Sequence, residues 1–343
     1  MDTTRRSAPP IVAAWETTRA CGYRCLHCRA DAQPHALPGQ LTGEEARRMI
    51  GQLGEGFPGG TLILTGGDPL LRADLPEMAA HATASGLRVA LTPSATPSVT
   101  RERLTELRDA GVRQMAISID GATPEVHDGM RGIDGSYARS LRILAMAREL
   151  GLPVQVNSTV TRVTEAGLEA LAEVVRGVQP VMWSVFFLVA VGRGRLDDML
   201  SAEEHERAFH RIADLAEDLP FRVKVTEAPP YRRVLAERGA AVLPPPVTGG
   251  RGFMFISHDG VVSPSGFLPV PAGNVRDASP VDIYRDAEIF RAIRDPERLG
   301  GKCRVCEYRE VCGGSRARAW AVTGDPLAAD PTCVHVPAAL AAA

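Results

Sequence analysis

The chain has 343 residues, 45% of them hydrophobic, and its 39 basic and 41 acidic residues give a formal net charge of -2. This length predicts two units, or one large α/β barrel with an appended unit, and the near balance of charge argues against a dedicated nucleic-acid surface. No apolar signal segment follows the first arginines, and the longest apolar run, residues 181–191, is interrupted by Ser184 and is too short to cross a bilayer. We therefore expect a cytoplasmic protein that binds neither nucleic acid nor membrane.

The first 230 residues alternate short apolar runs with longer stretches patterned as helices. Six runs rich in β-branched residues predict strands, in chain order IVAAW, TLILT, RVALT, QMAISI, PVQVNSTV and VMWSVFFLV. Two helices are predicted to begin at capping boxes, Thr42 with Glu45 and Ser201 with Glu204. Because repeated βα units form parallel sheets, we expect an α/β fold with a partial (β/α)6 TIM-like barrel over residues 1–238. Functional residues of such a barrel lie at the C-terminal ends of its strands.

The pattern changes after residue 238. Residues 239–251 contain three consecutive prolines and predict a linker. Residues 252–343 predict a smaller second unit, with a hairpin turn at Asp259-Gly260, a helical stretch DIYRDAEIFRAIRDPERL and a frayed alanine-rich end.

Seven cysteines form two separate groups. They are Cys21, Cys25 and Cys28 near the start, and Cys303, Cys306, Cys312 and Cys333 near the end. An odd count argues against a closed disulfide set, and thiolates select zinc or iron–sulfur clusters. The first group is one ligand short of a closed zinc site unless His27 joins it, whereas an iron–sulfur cubane on three cysteines keeps one iron open. A zinc knuckle or a chance match is the alternative.

The spacing Cys21-x3-Cys25-x2-Cys28, directly after the first predicted strand, resembles the signature of the radical SAM superfamily. The resemblance implies that the three cysteines are catalytic and hold a [4Fe-4S] cluster whose open iron binds S-adenosylmethionine (SAM). It further implies that an electron from the cluster, supplied by a flavodoxin- or ferredoxin-type partner, cleaves SAM to a 5'-deoxyadenosyl radical.

Three further segments at the ends of predicted strands resemble SAM-binding positions of that family. They are Gly66, Gly67 and Asp68 after the second strand, Ser118 and Asp120 after the fourth, and Asn157 and Thr159 on the fifth. Asp68 departs from the family's glutamate and is one methylene shorter, which favours the backbone carbonyls there as the contact. The alternatives are an ordinary Gly-Gly-Asp-Pro turn, a helix cap at Ser118 and Asp120, and a loop role for Asn157. Placement at one edge of the barrel favours one shared cofactor pocket.

The second group, Cys303, Cys306, Cys312 and Cys333, resembles the SPASM/twitch-like extension of radical SAM enzymes. Four thiolates are enough to close one auxiliary [4Fe-4S] cluster, and a ribbon-type zinc site is the alternative. The full SPASM form carries two auxiliary clusters, but Ser263, Ser265 and the residues just past Cys312 are not cysteines. The resemblance therefore implies a single, fully ligated auxiliary cluster.

The motifs WETTRACGYRCLHCRADA, TGGDPLLR, SIDG and HDGMRG look most like the branch that makes haem by the alternative route and haem d1. That branch acts on propionate-bearing tetrapyrroles. Peptide-modifying SPASM enzymes share much of the pattern, but they usually carry an extra N-terminal domain, and only ten residues precede the first predicted strand here. A third alternative, of another class, is a non-catalytic zinc-stabilised α/β binding protein.

Arginines after the strands are the predicted substrate contacts, because guanidinium forks match carboxylates. They are Arg193 and Arg195 in VGRGR and Arg131 in HDGMRG, with solvated basic loops as the alternative. No ligand role is expected for His127, His205 or His258. Trp15, Trp183, Phe186 and Phe187 are expected in the core.

Overall fold

The computed structural model of the chain describes residues 12–240 and 247–341. Ile11 of the first predicted strand, residues 241–246 of the predicted linker and the last two alanines lie outside these ranges. The strands are β1 (Val12–Glu16), β2 (Thr61–Thr65), β3 (Arg88–Leu91), β4 (Val112–Ser118), β5 (Val154–Val160), β6 (Met182–Phe187), β7 (Arg222–Thr226), β8 (Thr248–Gly249), β9 (Gly252–Ile256), β10 (Val261–Ser263) and β11 (Gly273–Asn274).

Helices lie between most of these strands. They are α1 (Gly43–Gly56), α2 (Leu75–Ala84), α3 (Arg101–Asp109), α4 (Pro124–Arg131), α5 (Ser136–Glu149), α6 (Leu168–Val178), α7 (Ala202–Asp218), α8 (Pro230–Glu237), α9 (Pro280–Asp286), α10 (Glu288–Arg294), α11 (Gly301–Val305), α12 (Arg316–Thr323) and α13 (Ala338–Ala341). Thr42 and Ser201 form the two predicted capping boxes, at the starts of α1 and α7. The predicted C-terminal helical stretch forms α9 and α10, with a break at Ala287.

The sheet is a run of parallel strands in chain order, from β1 to β7. The six predicted strands are present as β1 to β6, and the predicted partial barrel is confirmed. β7 was not expected, because Arg222 and Lys224 alternate with its valines and no continuous apolar run marks it.

The sheet continues on the other side of β1. β9 pairs in parallel with β1, and β10 folds back antiparallel on β9 at the predicted Asp259-Gly260 turn. The strand order is therefore β11-β10-β9-β1-β2-β3-β4-β5-β6-β7, so residues after the predicted linker extend the same sheet. The domain boundaries at residues 238 and 252 stay a prediction.

The two faces of the parallel strands differ in chemistry. One face packs against the helices in the main core, which includes Trp15, Val156, Trp183 and Phe187. The opposite face carries half-buried polar side chains such as Asn157 on β5. Phe186, which was expected in the core, lies on this second face, where its ring is 6.3 Å from that of Phe267. No helix in the described ranges has both the length and the hydropathy needed to span a bilayer.

Candidate functional site

The first cysteine group occupies a closed loop just after β1. The amide of Cys21 donates to the carbonyl of Gln33 at 2.8 Å, and the amide of Gln33 donates to Arg19 at 2.9 Å, which joins the two ends of the loop. Cys21 and Cys25 are buried and Cys28 is half-buried. Because β1 is parallel to its neighbours, the loop lies at the C-terminal edge of the barrel, where ligands bind in such folds.

The sulfur atoms of this loop are not grouped closely enough for a single tetrahedral ion. A tetrahedral zinc with bonds of about 2.3 Å would hold its sulfurs about 4 Å apart. Among the described residues, the only set of three possible ligands within 4.8 Å of one another is Cys306, Glu307 and His335, so the first three cysteines do not form such a site. Backbone amides donate to two of their sulfurs, Tyr23 to Cys21 and Ala32 to Cys28, each at 3.4 Å.

His27 does not complete a zinc site. Its Nε2 lies 3.6 Å from a carboxylate oxygen of Asp120, and burial of the ring is the largest of the effects that lower its pKa to about 4. The imidazole is therefore neutral and engaged with the barrel rather than grouped with the thiols. Its Nδ1 is buried without a hydrogen-bond partner among the described residues.

The Gly66-Gly67-Asp68 segment after β2 packs against the chain that leads into Cys21. A Cβ at Gly66 would lie 2.5 Å from the carbonyl of Thr18, and one at Gly67 would lie 2.7 Å from that of Arg19. The amide of Gly67 donates to Thr18 at 2.8 Å. The two glycines therefore permit close contact between two backbone segments. The sequence predicted close approach to a ligand, and contact of this segment with SAM stays a prediction.

Asp68 is fully buried and its carboxylate has protein partners. Thr96 donates to it at 2.6 Å and the amide of Leu70 at 3.2 Å, and burial raises its pKa. The carbonyl of Gly67 accepts from Ser94 at 2.7 Å, and the same hydroxyl lies 3.4 Å from the sulfur of Cys21. Ser94 follows β3 at the same edge, so the rule that found the other segments could have found it.

Asp120 connects the ends of three elements. The amide of Thr159 on β5 donates to its carboxylate at 2.8 Å, and Arg131 at the end of α4 lies 2.6 Å from it. Burial by itself would raise the pKa of Asp120, but the nearby partners, above all the Arg131 guanidinium, outweigh it, and the pKa is lowered. The N-cap of α4 is Thr123, not Ser118 or Asp120. The alternative that these two residues cap the helix is therefore wrong. Ser118 lies directly beside Asn157 in the pairing of β4 with β5.

The predicted substrate arginines have different surroundings. Arg131 lies 3.8 Å from the sulfur of Cys25, and Arg193 donates to the carbonyls of Cys25 and Ala32, each at 2.9 Å. Arg195 is 74% exposed, and its one ion pair among the described residues is with Asp197, at 3.8 Å. Arg131 and Arg193 therefore hold the cysteine loop, and substrate contact by any of the three stays a prediction.

Glu16, the last residue of β1, is a buried carboxylate that sequence analysis did not single out. It accepts from Arg29 at 2.9 Å and from Arg19 at 3.0 Å, and His258 lies 3.4 Å away. Burial opposes ionisation, but Arg29 and the other partners outweigh it and lower the pKa of Glu16 to about 2. The Arg29 guanidinium also lies 4.4 Å from the ring of Phe255 on β9, so this carboxylate ties the cysteine loop to the C-terminal strands.

The second cysteine group lines one pocket. Its walls include Cys303, Cys306, Cys312 and Cys333 together with Arg233 and Lys302. Amides donate to three of the sulfurs, from Asp330 to Cys303, from Tyr308 to Cys306 and from Gly314 to Cys312, at 3.3 to 3.4 Å. Burial raises the pKa values of Cys306, Cys312 and Cys333.

Comparison with known proteins agrees with this geometry. Residues 15–175 match the family model described as the radical SAM superfamily. The AdoMet-dependent heme synthase of Methanosarcina barkeri is 39% identical, over 96% of this chain and 97% of that protein. The Fe-coproporphyrin III synthase of the same organism is 29% identical, over 94% of this chain and 87% of that protein.

A solved structure shares the fold. The structure of anSMEcpe with bound AdoMet superposes with a TM-score of 0.74 and 15% identity, over 95% of this chain and 94% of that one. The 39% identity to the heme synthase extends over nearly the full length of both chains, and residues 15–175 match the family model. Together they exclude the alternative of a non-catalytic zinc-binding protein. The chain belongs to the radical SAM superfamily and is an enzyme.

Proposed function

We propose that this enzyme abstracts hydrogen from a propionate side chain of an iron tetrapyrrole. Cys21, Cys25 and Cys28 would hold the [4Fe-4S] cluster, which when bound supplies the electron that cleaves SAM to a 5'-deoxyadenosyl radical. A flavodoxin- or ferredoxin-type protein is the proposed reductant. The observation that carries the proposal is the cysteine loop at the barrel edge, where Cys21 and Cys25 are buried, Cys28 is half-buried and none of the three is in a disulfide.

The residues around the loop fit the binding of SAM beside it. Ser118, Asn157 and Thr159 lie on neighbouring strands at this edge, and the Gly66–Asp68 backbone runs beside Cys21. These side chains and carbonyls would bind and orient the cosubstrate. The enclosing barrel would keep water away from a reactive intermediate.

The substrate class follows from the relatives. The heme synthase of M. barkeri matches almost end to end, and the other relative is named for an iron coproporphyrin. Both names concern tetrapyrroles, which carry carboxylate side chains. A peptide substrate remains the competing outcome of the experiment below.

We further propose one auxiliary [4Fe-4S] cluster on Cys303, Cys306, Cys312 and Cys333. Gly314 supports this fit, because it has φ +66° and a Cβ there would lie 3.1 Å from the sulfur of Cys303. A glycine is therefore required to leave the space beside that thiol. Four protein ligands would leave no open iron, so the role of this cluster would be electron transfer or support of the substrate site.

Isotope transfer tests the proposed reaction. The anaerobically reconstituted enzyme is incubated with SAM, dithionite and iron coproporphyrin III that carries deuterium on its propionate carbons. We expect deuterium in the 5'-deoxyadenosine, because the radical would take hydrogen from that side chain. Unlabelled 5'-deoxyadenosine with porphyrin, together with turnover of a peptide, would overturn the tetrapyrrole assignment.

Two cysteine variants serve as controls. Cys25→Ala is expected to abolish 5'-deoxyadenosine while keeping the auxiliary cluster, and bound iron should fall from about eight to about four atoms per chain. Cys306→Ala is expected to keep SAM cleavage without substrate but to impair transfer from the porphyrin. Stoichiometric zinc in place of iron would exclude both clusters.

A further inference from the structure

The chain uses arginine for almost all of its positive charge. Of its 39 basic residues only two are lysines, Lys224 and Lys302. Lys302 donates to the carbonyl of Cys333 in the C-terminal pocket. Lys224 lies on β7, the strand that sequence analysis missed.

Lys224 lies in the same row of side chains as the residues proposed to bind SAM. In the strand pairing, Ser118 on β4 is opposite Asn157 on β5, Asn157 is opposite Ser184 on β6, and Ser184 is opposite Lys224 on β7. Side chains in one such row share a face of the sheet. Since neighbouring strands are about 4.8 Å apart, the Cα atoms of Asn157 and Lys224 are about 10 Å apart.

That shared face is the one turned away from the helices. Val223 and Val225, on either side of Lys224, pack against the main core. The hydroxyls of Ser184 and Thr226 meet at 3.0 Å on the opposite face. The lysine is thus presented on the face that carries the SAM-binding candidates.

The ammonium group forms no ion pair with a carboxylate of the described residues. The side chain of Lys224 is exposed on β7. No hydrogen bond or ion pair within 4.0 Å is found for it among the described residues. Glu227 is the carboxylate that attracts it, but Glu227 instead accepts from Ser265 at 3.0 Å. The side chain is open to water but surrounded by protein, and this partial desolvation, then Arg232, lowers its pKa.

Glu16 and Asp120, two other carboxylates at this edge, already have cationic partners. Glu16 is bound by Arg29 and Arg19, and Asp120 is paired with Arg131. An unpaired cation next to a partly desolvated pocket is stabilised by an anion that the substrate brings, in a charge-assisted hydrogen bond. A compact ammonium on a flexible stem can follow a carboxylate that is itself on a flexible chain.

We propose that Lys224 binds a carboxylate of the substrate and so positions the substrate beside SAM. The inference rests on the proposed function, because it takes the propionate-bearing tetrapyrrole as the substrate. It adds a named contact on β7 that differs from the three arginines expected from sequence.

Amine modification gives a direct test. The reconstituted enzyme is treated with an acetylating reagent, with and without iron coproporphyrin III, and the two lysines are followed by mass spectrometry. We expect the porphyrin to protect Lys224 and to leave the modification of Lys302 unchanged. An iron octaalkylporphyrin, which lacks carboxylates, should protect neither lysine, and equal protection by both porphyrins would overturn the proposal.

Substitution gives a second, independent readout. Lys224→Met should weaken binding of iron coproporphyrin III by about tenfold or more in a Soret titration, because a charged hydrogen bond is lost. Lys224→Arg should retain most of the affinity. Arg88→Met, at the exposed start of β3 and far from this edge, is the matched loss of positive charge and should bind as the wild type does.

The results distinguish failure of the proposed function from failure of the proposed role of Lys224. Wild-type enzyme that neither binds the porphyrin nor transfers deuterium from it removes the proposed function and this inference together. Deuterium transfer that persists in Lys224→Met with unchanged porphyrin affinity removes only the inference. Iron content and SAM cleavage without substrate should match the wild type in all variants, which excludes misfolding as the cause.

Discussion

The guanidinium of Arg131 lies 3.8 Å from the sulfur of Cys25, and on its other side it is paired with the buried carboxylate of Asp120 at 2.6 Å. Hydrogen bonds and charges near thiolates are among the determinants of iron–sulfur reduction potentials. A cation beside Cys25 stabilises the more negative, reduced form of a cluster bound there.

We therefore expect Arg131→Met to lower the reduction potential of the cluster on the cysteine loop. An interaction that is stronger with the reduced cluster than with the oxidised one by about 1.5 kcal/mol corresponds to roughly 60 mV for a one-electron couple. The measurement is a redox titration followed by electron paramagnetic resonance, using the signal that changes when SAM is added.

A double variant controls for the loss of the ion pair between Arg131 and Asp120. Arg131→Met alone leaves Asp120 buried without its main partner, so the double variant with Asp120→Asn should be titrated alongside it. Arg195→Met, at a 74% exposed arginine, is the control and should leave the potential unchanged. An unaltered potential in Arg131→Met would show that the guanidinium acts only on Asp120.

Gly314→Ala should remove the proposed auxiliary cluster selectively. The added Cβ would lie 2.6 Å from Nη2 of Arg316, 2.9 Å from Cβ of Asp330 and 3.1 Å from the sulfur of Cys303, so the groups around this thiol would have to shift. Bound iron should fall from about eight to about four atoms per chain, while SAM cleavage without substrate continues.

Gly324→Ala is the matched control for this change. Gly324 has φ +77°, close to the +66° of Gly314, but no atom lies within 4 Å of the position of its Cβ. Both variants share the backbone strain of a left-handed alanine, which is about 1 kcal/mol or more, and only Gly314→Ala crowds a thiol. Equal iron loss in the two variants would assign the effect to strain.

The extent to which sequence predicted this site depends on how local each signal is. The cysteine spacing and the polar residues that follow apolar runs are local patterns, and the structure places them at one edge of the barrel. The contacts of Arg193 with Cys25 join residues 168 positions apart, and those of Arg131 with Cys25 join residues 106 apart. No local pattern reports which loop such an arginine will meet, so a substrate role was the simpler expectation.

β7 shows the same limit at the level of the fold. Its valines face the core, but Arg222 and Lys224 face a space open to water, so the strand carries only a weak apolar signal. The strand that escaped prediction is therefore the one that presents a charged side chain to the proposed substrate site. Glu16 was missed for a different reason, since its contact with His258 forms only when β9 pairs with β1.

His205 predicts a pH dependence of stability. This histidine is buried, lies 2.8 Å through Nδ1 from the carbonyl of Ser201 and stacks on Phe187, and burial, then Arg318, lowers its pKa to about 4. Because the unfolded histidine has a pKa near 6.5, the unfolded state binds more protons between pH 6.5 and 4, and stability is lost as the pH falls through that window.

We expect His205→Gln to reduce the slope of the unfolding free energy against pH by up to about 1.4 kcal/mol per pH unit in that window. Denaturant unfolding at several pH values between 6.5 and 5 measures the slope. His210→Gln, at an exposed position on the same helix, is the control for the substitution itself, and a slope reduced as much as in His205→Gln would contradict the assignment to the burial of His205. The pKa values of His27 and His127 are also lowered, so His205→Gln should retain part of the pH dependence of stability.

Arg193→Met distinguishes a role in the cysteine loop from a role in substrate binding. The side chain donates to the carbonyls of Cys25 and Ala32 and pairs with Asp31 at 3.2 Å, and a Cβ at the neighbouring Gly192 would lie 2.8 Å from the backbone carbon of Arg29. These contacts hold the loop in the shape that presents its thiols, so their loss should loosen the loop. We expect Arg193→Met to lose cluster iron faster in air than wild type and to form less 5'-deoxyadenosine without any substrate present, whereas Arg195→Met should match wild type in both. Normal iron retention with a raised KM for the porphyrin would instead support the substrate contact expected from the sequence.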